Sequence, residues 1–181
     1  MDLTGFVGFS TCNSFVSKAI RYFSHGTWSH TFLCLGEHLG EELILEASTY
    51  EVRIAPLSRF YDKGSRLELW QPGLIDRDTH IACMRKAMLM VGRGYGYFQL
   101  IGFIWPWVLH RVGIRASNPF WDGVICSELV GAELIEARYL PLVNDSVNDI
   151  TPDTIDEAFH RDGVSIKKAV KEYGECQLSY L

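Results

Sequence analysis

Between residues 29 and 70 the chain carries four short runs rich in apolar and β-branched residues, at 29–35, 43–48, 51–54 and 66–70. Each run has strand length and is bounded by turn-forming residues. The series suggests a meandering antiparallel sheet. Gly36 to Gly40 reads as the tight turn between the first two runs, and Gln71-Pro72-Gly73 ends the last.

Helical periodicity lies on either side. Asn13 or Ser14 can cap a helix to about Phe23, with Phe15, Val16, Ala19, Ile20 and Phe23 on one face. Asp78 or Thr79 can cap a second, with Ile81, Met84, Met88 and Val91 at helical spacing. The glycines at 92, 94 and 96 break it; they lack a phosphate-loop pattern and read as a turn. Cys126 to Ala137 is a third. Thr151-Pro152-Asp153 starts a fourth, with a cap, Pro at the first helical position and an acid in the first turn. Strands early and helices late predict an α+β fold, an antiparallel sheet packed against helices. With 181 residues and no low-complexity linker or internal repeat, the expectation is one domain over 1–181 with an apolar elaboration at about 94–121.

Composition narrows the function classes. A net charge of −5 argues against binding nucleic acid through its phosphates. The five cysteines are scattered and form no C-x-x-C pair, unlike a disulfide framework or a structural zinc site. Free thiols suit a reducing compartment. Met1-Asp2-Leu3-Thr4 has no basic n-region, and the most apolar stretch, Phe98 to Leu109, is about half the ~20 residues of a spanning helix. A cytoplasmic protein without cofactor or metal is the expectation. His25, His30, Cys34 and His38 match no standard zinc spacing.

The chemistry centres on three residues. The helical periodicity begins at about Cys126, which puts the thiol in a first turn. There the helix dipole and unpaired N–H groups favour a thiolate and can help hold an oxyanion. His30 opens a strand, a rigid mount for a general base. Glu46 lies on the returning strand. If the turn centres on His38, with Gly36 facing Gly40, His30 and Glu46 stand directly opposite each other. Glu46 then orients the His30 ring. Singly, each has a plain structural reading: a small core thiol, a structural histidine, a solvent-facing glutamate. Cys34 sits mid-strand, without a helix dipole, and reads as core. Cys12 precedes a helix near the presumed site.

At these residues the sequence resembles the circularly permuted branch of the NlpC-like papain-fold superfamily. The resemblance runs from about Gly5 to Phe159. It rests on Gly5-Phe6-Val7-Gly8-Phe9-Ser10, Trp28-Ser29-His30-Thr31-Phe32, Ile44-Leu45-Glu46-Ala47, Val52-Arg53-Ile54-Ala55-Pro56-Leu57, Ile125-Cys126-Ser127-Glu128-Leu129-Val130 and Ile150-Thr151-Pro152-Asp153. It implies a permuted papain-like fold and the chain order His, polar residue, Cys. It implies acyl chemistry through a Cys126 thioester, with His30 as base, Glu46 orienting it, and the oxyanion at the Cys126 N–H. Ser127 and Trp28 are further candidates for the oxyanion or substrate wall. Gly8 stands where relatives often place an Asp, which is expected to affect local turn structure.

Three functions follow as expectations. The first is cleavage of a peptide, isopeptide or peptidoglycan-like amide. The second is lipid-directed acyl transfer or ester cleavage, as in lecithin-retinol-acyltransferase-like relatives, with membrane contact through Trp105 and Trp107. The third is a binding module that keeps the fold.

Overall fold

The computed structural model describes residues 2–48, 50–61, 64–94, 124–139, 141–143, 145–147, 150–172 and 179–180. The expected 94–121 elaboration, with Trp105 and Trp107, lies outside them except for Gly94.

The fold is α+β. Seven strands form one sheet: β1 (Val7–Cys12), β2 (His30–His38), β3 (Glu41–Ala47), β4 (Val52–Pro56), β5 (Ser65–Gln71), β6 (Ile166–Lys171) and β7 (Ser179–Tyr180). Their order across the sheet is β4-β3-β2-β1-β5-β6-β7, and every neighbouring pair is antiparallel. The helices are α1 (Phe15–Ser24), α2 (Arg77–Met88), α3 (Cys126–Glu136) and α4 (Pro152–Asp162).

Strand alternation divides the interior into two cores. Val7, Phe9, Leu33, Leu45 and Ala47 face α2, α3 and α4, together with Trp28, Trp70, Leu129, Val130, Tyr139 and Phe159. On the other face Phe32, Cys34, Ile44, Ala55, Leu67 and Leu69 pack with Leu3, Phe6 and the 3-10 turn Leu57–Phe60. Gly8 belongs to this second layer. It pairs with Phe32, and a Cβ there would lie 2.1 Å from the Phe32 ring. Gly8 is thus mid-strand, not a turn residue, and the ring occupies the space a side chain would need.

Some sequence expectations shift. α2 is capped by Asp76, whose carboxylate accepts from the Thr79 N–H at 3.0 Å. Its buried side is His80, Cys83, Met84 and Ala87 rather than Ile81, Met84, Met88 and Val91; Met88 and Val91 are exposed. β6 interrupts the strands-then-helices order. Its sequence, Ile-Lys-Lys-Ala-Val-Lys, looks too polar for a strand, yet the ammonium of buried Lys171 donates to the Ser65 carbonyl at 2.7 Å. α1 is capped by Ser14 as expected, but Phe15 and Val16 of its apolar face stay exposed. Among its described side chains the buried one is Ser17, held through hydroxyls to Thr11 and Ser29. Among the described residues no helix is long and apolar enough to cross a membrane.

α4 and the segment before β2 are tied together. Thr151 caps α4, and Asp153 in its first turn accepts from the Thr27 N–H at 2.6 Å and the Trp28 N–H at 3.2 Å. That bond fixes the approach of the chain to His30.

Candidate active site

Cys126 is the first residue of α3. The preceding Ile125 N–H donates to the Glu128 carboxylate at 3.2 Å, which anchors the helix start. α3 packs on β2, α2 and α4, so its N-terminus is held against the opening of β2. Cys126 is buried, 6% exposed. Its sulfur meets the His30 ring and accepts the backbone N–H groups of Ser127 and Thr31.

The Thr31 contact has a cause in the sheet. The β2–β3 ladder ends at Leu33 opposite Leu45. Past β3 the chain turns away, and the Ser48 N–H bonds to the Glu51 carbonyl. The Thr31 amide therefore serves the thiol. The nucleophile candidate sits where two strands part.

Burial pushes the Cys126 thiol up. The His30 hydrogen bond and charge, with the two backbone N–H groups, outweigh it and hold the thiol below its ordinary range. His30 shows the reverse. Burial opposes its charge, yet Cys126 and Glu46 on either side raise it above an ordinary imidazole. Each partner favours the other's charged form.

The His30 Nε2 atom is 2.9 Å from Glu46 Oε2, which leaves Nδ1 as the ring nitrogen for the thiol. Glu46 Oε1 accepts from Arg53 Nε at 2.9 Å and from the Arg59 guanidinium. Burial would raise this carboxyl, but His30, Arg59 and Arg53 bring it down from 4.5 to about 2. Its two oxygens are divided, one for the imidazole and one for the arginines.

The His30–Glu46 contact does not arise from the register read in the sequence. The turn is not centred on His38. It is the two-residue Leu39-Gly40 loop, with φ of 53° and 83°, closed by His38 opposite Glu41. Two positive φ values mark the hairpin turn that matches strand twist, and a leucine at the first of them hides the signal. Gly36 lies within β2. From the turn, Gly36 pairs with Leu43. Continued unchanged, that register would set Glu46 opposite Leu33, on the face away from His30. Leu35 is an extra residue, a β-bulge, beyond which Cys34 pairs with Ile44 and Leu33 with Leu45. Glu46 then falls opposite Phe32, two residues from His30 on the same face, and its length covers the diagonal. Gly36 makes the bulge possible. It has φ of 90°, and a Cβ there would lie 2.1 Å from Thr4 Oγ1.

A cleft of about 440 Å³ opens beside His30, lined by Glu46, Arg53, Arg59, Phe60 and the α1 residues Val16 and Ile20. Cys12 also lines it. Ser127 is buried behind Cys126 and contributes its backbone N–H. Trp28 is not at the cleft. It is buried against Phe9, ring centroids 5.9 Å apart, with Arg66 over its face. Cys34 is core, and burial pushes its thiol far up. His25 is the left-handed C-cap of α1. The sequence reading missed the arginines on Glu46, because nothing in the spacing of Arg53 and Arg59 points to a carboxylate on the next strand. Among the described residues no group of three or more His, Cys, Asp and Glu is placed to hold a metal, and the second oxygen of Glu46 is committed to arginine.

No family model matches the chain, and no curated protein matches it. Among solved structures it is similar to the metalloprotein yiiX from Escherichia coli O157:H7, a DUF1105 protein. The two are 17% identical, with a TM-score of 0.54, over 98% of this chain and 95% of that chain. At that identity the likeness concerns the fold.

Proposed function

We propose that this chain is a thiol hydrolase of permuted papain-like fold that cleaves an amide (peptide, isopeptide or peptidoglycan-like) through a Cys126 thioester. The observation that carries the reading is the convergence of a helix-start thiol, an imidazole and a buried carboxylate. The Cys126 sulfur attacks the carbonyl carbon, and the oxyanion meets the Cys126 N–H at the start of α3. His30 gives its proton to the leaving amine, which departs as the thioester forms. Water, activated by His30, then attacks the thioester and releases the acid and the thiolate. Glu46 holds the ring through Nε2 so that Nδ1 faces sulfur. No step uses a metal.

Two measurements test it. Cys126→Ala should abolish turnover on a panel of amide, ester and thioester electrophiles while the far-UV spectrum stays native; activity retained in that variant would sink the proposal. Iodoacetamide at pH 6, well below the ~8.5 of a free thiol, should label Cys126 stoichiometrically. An inert Cys126 would favour a binding module on the same fold.

A second reading, lipid-directed acyl transfer by the same three residues, is favoured by one observation. Val16, which is exposed on α1, and Ile20 form an apolar wall of the cleft. Here an alcohol or amine of the acceptor replaces water in the second step.

A further inference from the structure

We propose that the cleft beside His30 is an anion subsite, in which Arg53 and Arg59 recognise a carboxylate or phosphate carried by the acyl substrate close to its reacting carbonyl. The inference rests on the reading of Cys126 as nucleophile and adds the chemical class of what it acts on.

The charge on the cleft wall runs against the charge of the molecule. The chain carries −5 overall, yet the ionisable groups lining the cleft, cysteine aside, are His30, Glu46, Arg53 and Arg59. His30 and Cys126 together carry no net charge in either protonation form of the pair. Glu46 balances one arginine. One positive charge is left over in a concave wall, where low-dielectric surroundings strengthen its field.

The arginines also have donors to spare. A guanidinium carries five N–H groups in a planar fork. Arg53 gives its Nε–H to Glu46 Oε1, and Arg59 gives one Nη1 hydrogen. Their side chains are 35% and 38% exposed, so the remaining donors are wetted at the cleft. Glu46 and the Phe60 ring, 5.6 Å from the Arg59 guanidinium carbon, hold the forks in place. Preset forks of this kind suit bidentate binding of carboxylate or phosphate. The site is one side chain from the base, because Glu46 bonds both arginines through Oε1 and His30 through Oε2. An anion bound there lies beside His30, the base that serves Cys126.

The alternative is that both arginines serve Glu46 alone. Two alkylating reagents of nearly equal size separate the cases, iodoacetate and iodoacetamide. In each the thiolate displaces iodide and one S–C bond forms. The measured quantity is the rate ratio of iodoacetate to iodoacetamide at Cys126, relative to the same ratio at a small free thiol. We expect wild type to exceed the free thiol by about tenfold at low salt, and Arg53→Gln and Arg59→Gln to lose most of that preference. Lys18→Gln, which removes one charge from the exposed side of α1, should keep it. A ratio unchanged in both arginine variants, or lowered equally by Lys18→Gln, overturns the proposal. The iodoacetamide rate read alone reports the nucleophile. If Cys126 is no faster than a free thiol at pH 6, the function reading fails, while the ratio still reports the cleft. A protection arm names the source of the anion. Octyl phosphate and phosphatidylglycerol vesicles are each tested for slowing iodoacetamide, against phosphatidylcholine vesicles. Protection by the soluble phosphate points to a free anionic acyl compound, and protection by the anionic vesicles alone to a lipid headgroup. Protection by neither overturns the proposal.

Discussion

At the scale of single residues, Glu46 sets the terms of the site. It is buried, and His30, Arg53 and Arg59 keep it ionised. Its carboxyl drops from 4.5 to about 2 on folding. A carboxyl depressed in the folded state adds stability that is fully present above its unfolded value and is lost as pH falls toward its folded value. Between pH 6 and pH 2, wild type should therefore lose up to about 3 kcal/mol from this group. Glu46→Gln has no such proton to take up. Its denaturant midpoint should start lower at pH 6 and fall less steeply with acid; parallel curves for the two proteins would show that Glu46 is not held ionised by its neighbours. Identity was legible here where geometry was not. A helix-start thiol, a strand-start imidazole and a strand glutamate each have a plain reading alone, and it was the chain order implied by the resemblance that singled out Cys126, His30 and Glu46. The arginines carry no such signal, since an arginine on a strand or in a turn is usually a solvated charge.

At the scale of elements, strands within 29–70 could be read from their residues, because apolar and β-branched runs bounded by turn residues leave little choice. Their register could not. It depends on a left-handed leucine and a bulge, and neither has a side-chain signature as clear as Asn-Gly. β6 escaped because its three lysines mask a strand whose pairing with β5 is set by the sheet. The close approach of β1 and β2 is a further element-scale feature, and it yields a test. Gly8→Ala puts a methyl group against the Phe32 ring, which is itself stacked on Phe60 at 5.0 Å. The ring has little room to retreat, so urea denaturation should show a loss of about 1–3 kcal/mol. A neutral result would mean that the second core yields more easily than its packing indicates.

At the scale of the whole molecule, two cores share one sheet, and the site lies at the strand end where helices from one side meet side chains from the other. What fixes α3 there is partly polar. His80 of α2 and Glu133 of α3 are both buried, with Nε2 and Oε2 3.1 Å apart. The other oxygen of Glu133 has no partner among the described residues. Burial raises the Glu133 carboxyl and the His80 bond opposes the rise. Removing one member leaves the other buried and unsatisfied, so His80→Ala should cost about 3 kcal/mol in denaturant. The pH 6 labelling rate of Cys126 in protein that remains folded should hardly change, because His80 supports the scaffold rather than the thiol. A large fall in that rate without loss of stability would instead place His80 in the chemistry.

The bulge at Leu35 carries one more consequence. The turn fixes one alignment of β2 and β3, the buried side chains require another, and the extra residue absorbs the disagreement. The outer part of the hairpin, where Leu39 is 93% exposed and Gly40 has open space around it, is thereby insulated from the inner part. Its tip works as a handle: a tag or reporter grafted between Leu39 and Gly40 adds length beyond the bulge and leaves the alignment that brings Glu46 to His30 untouched.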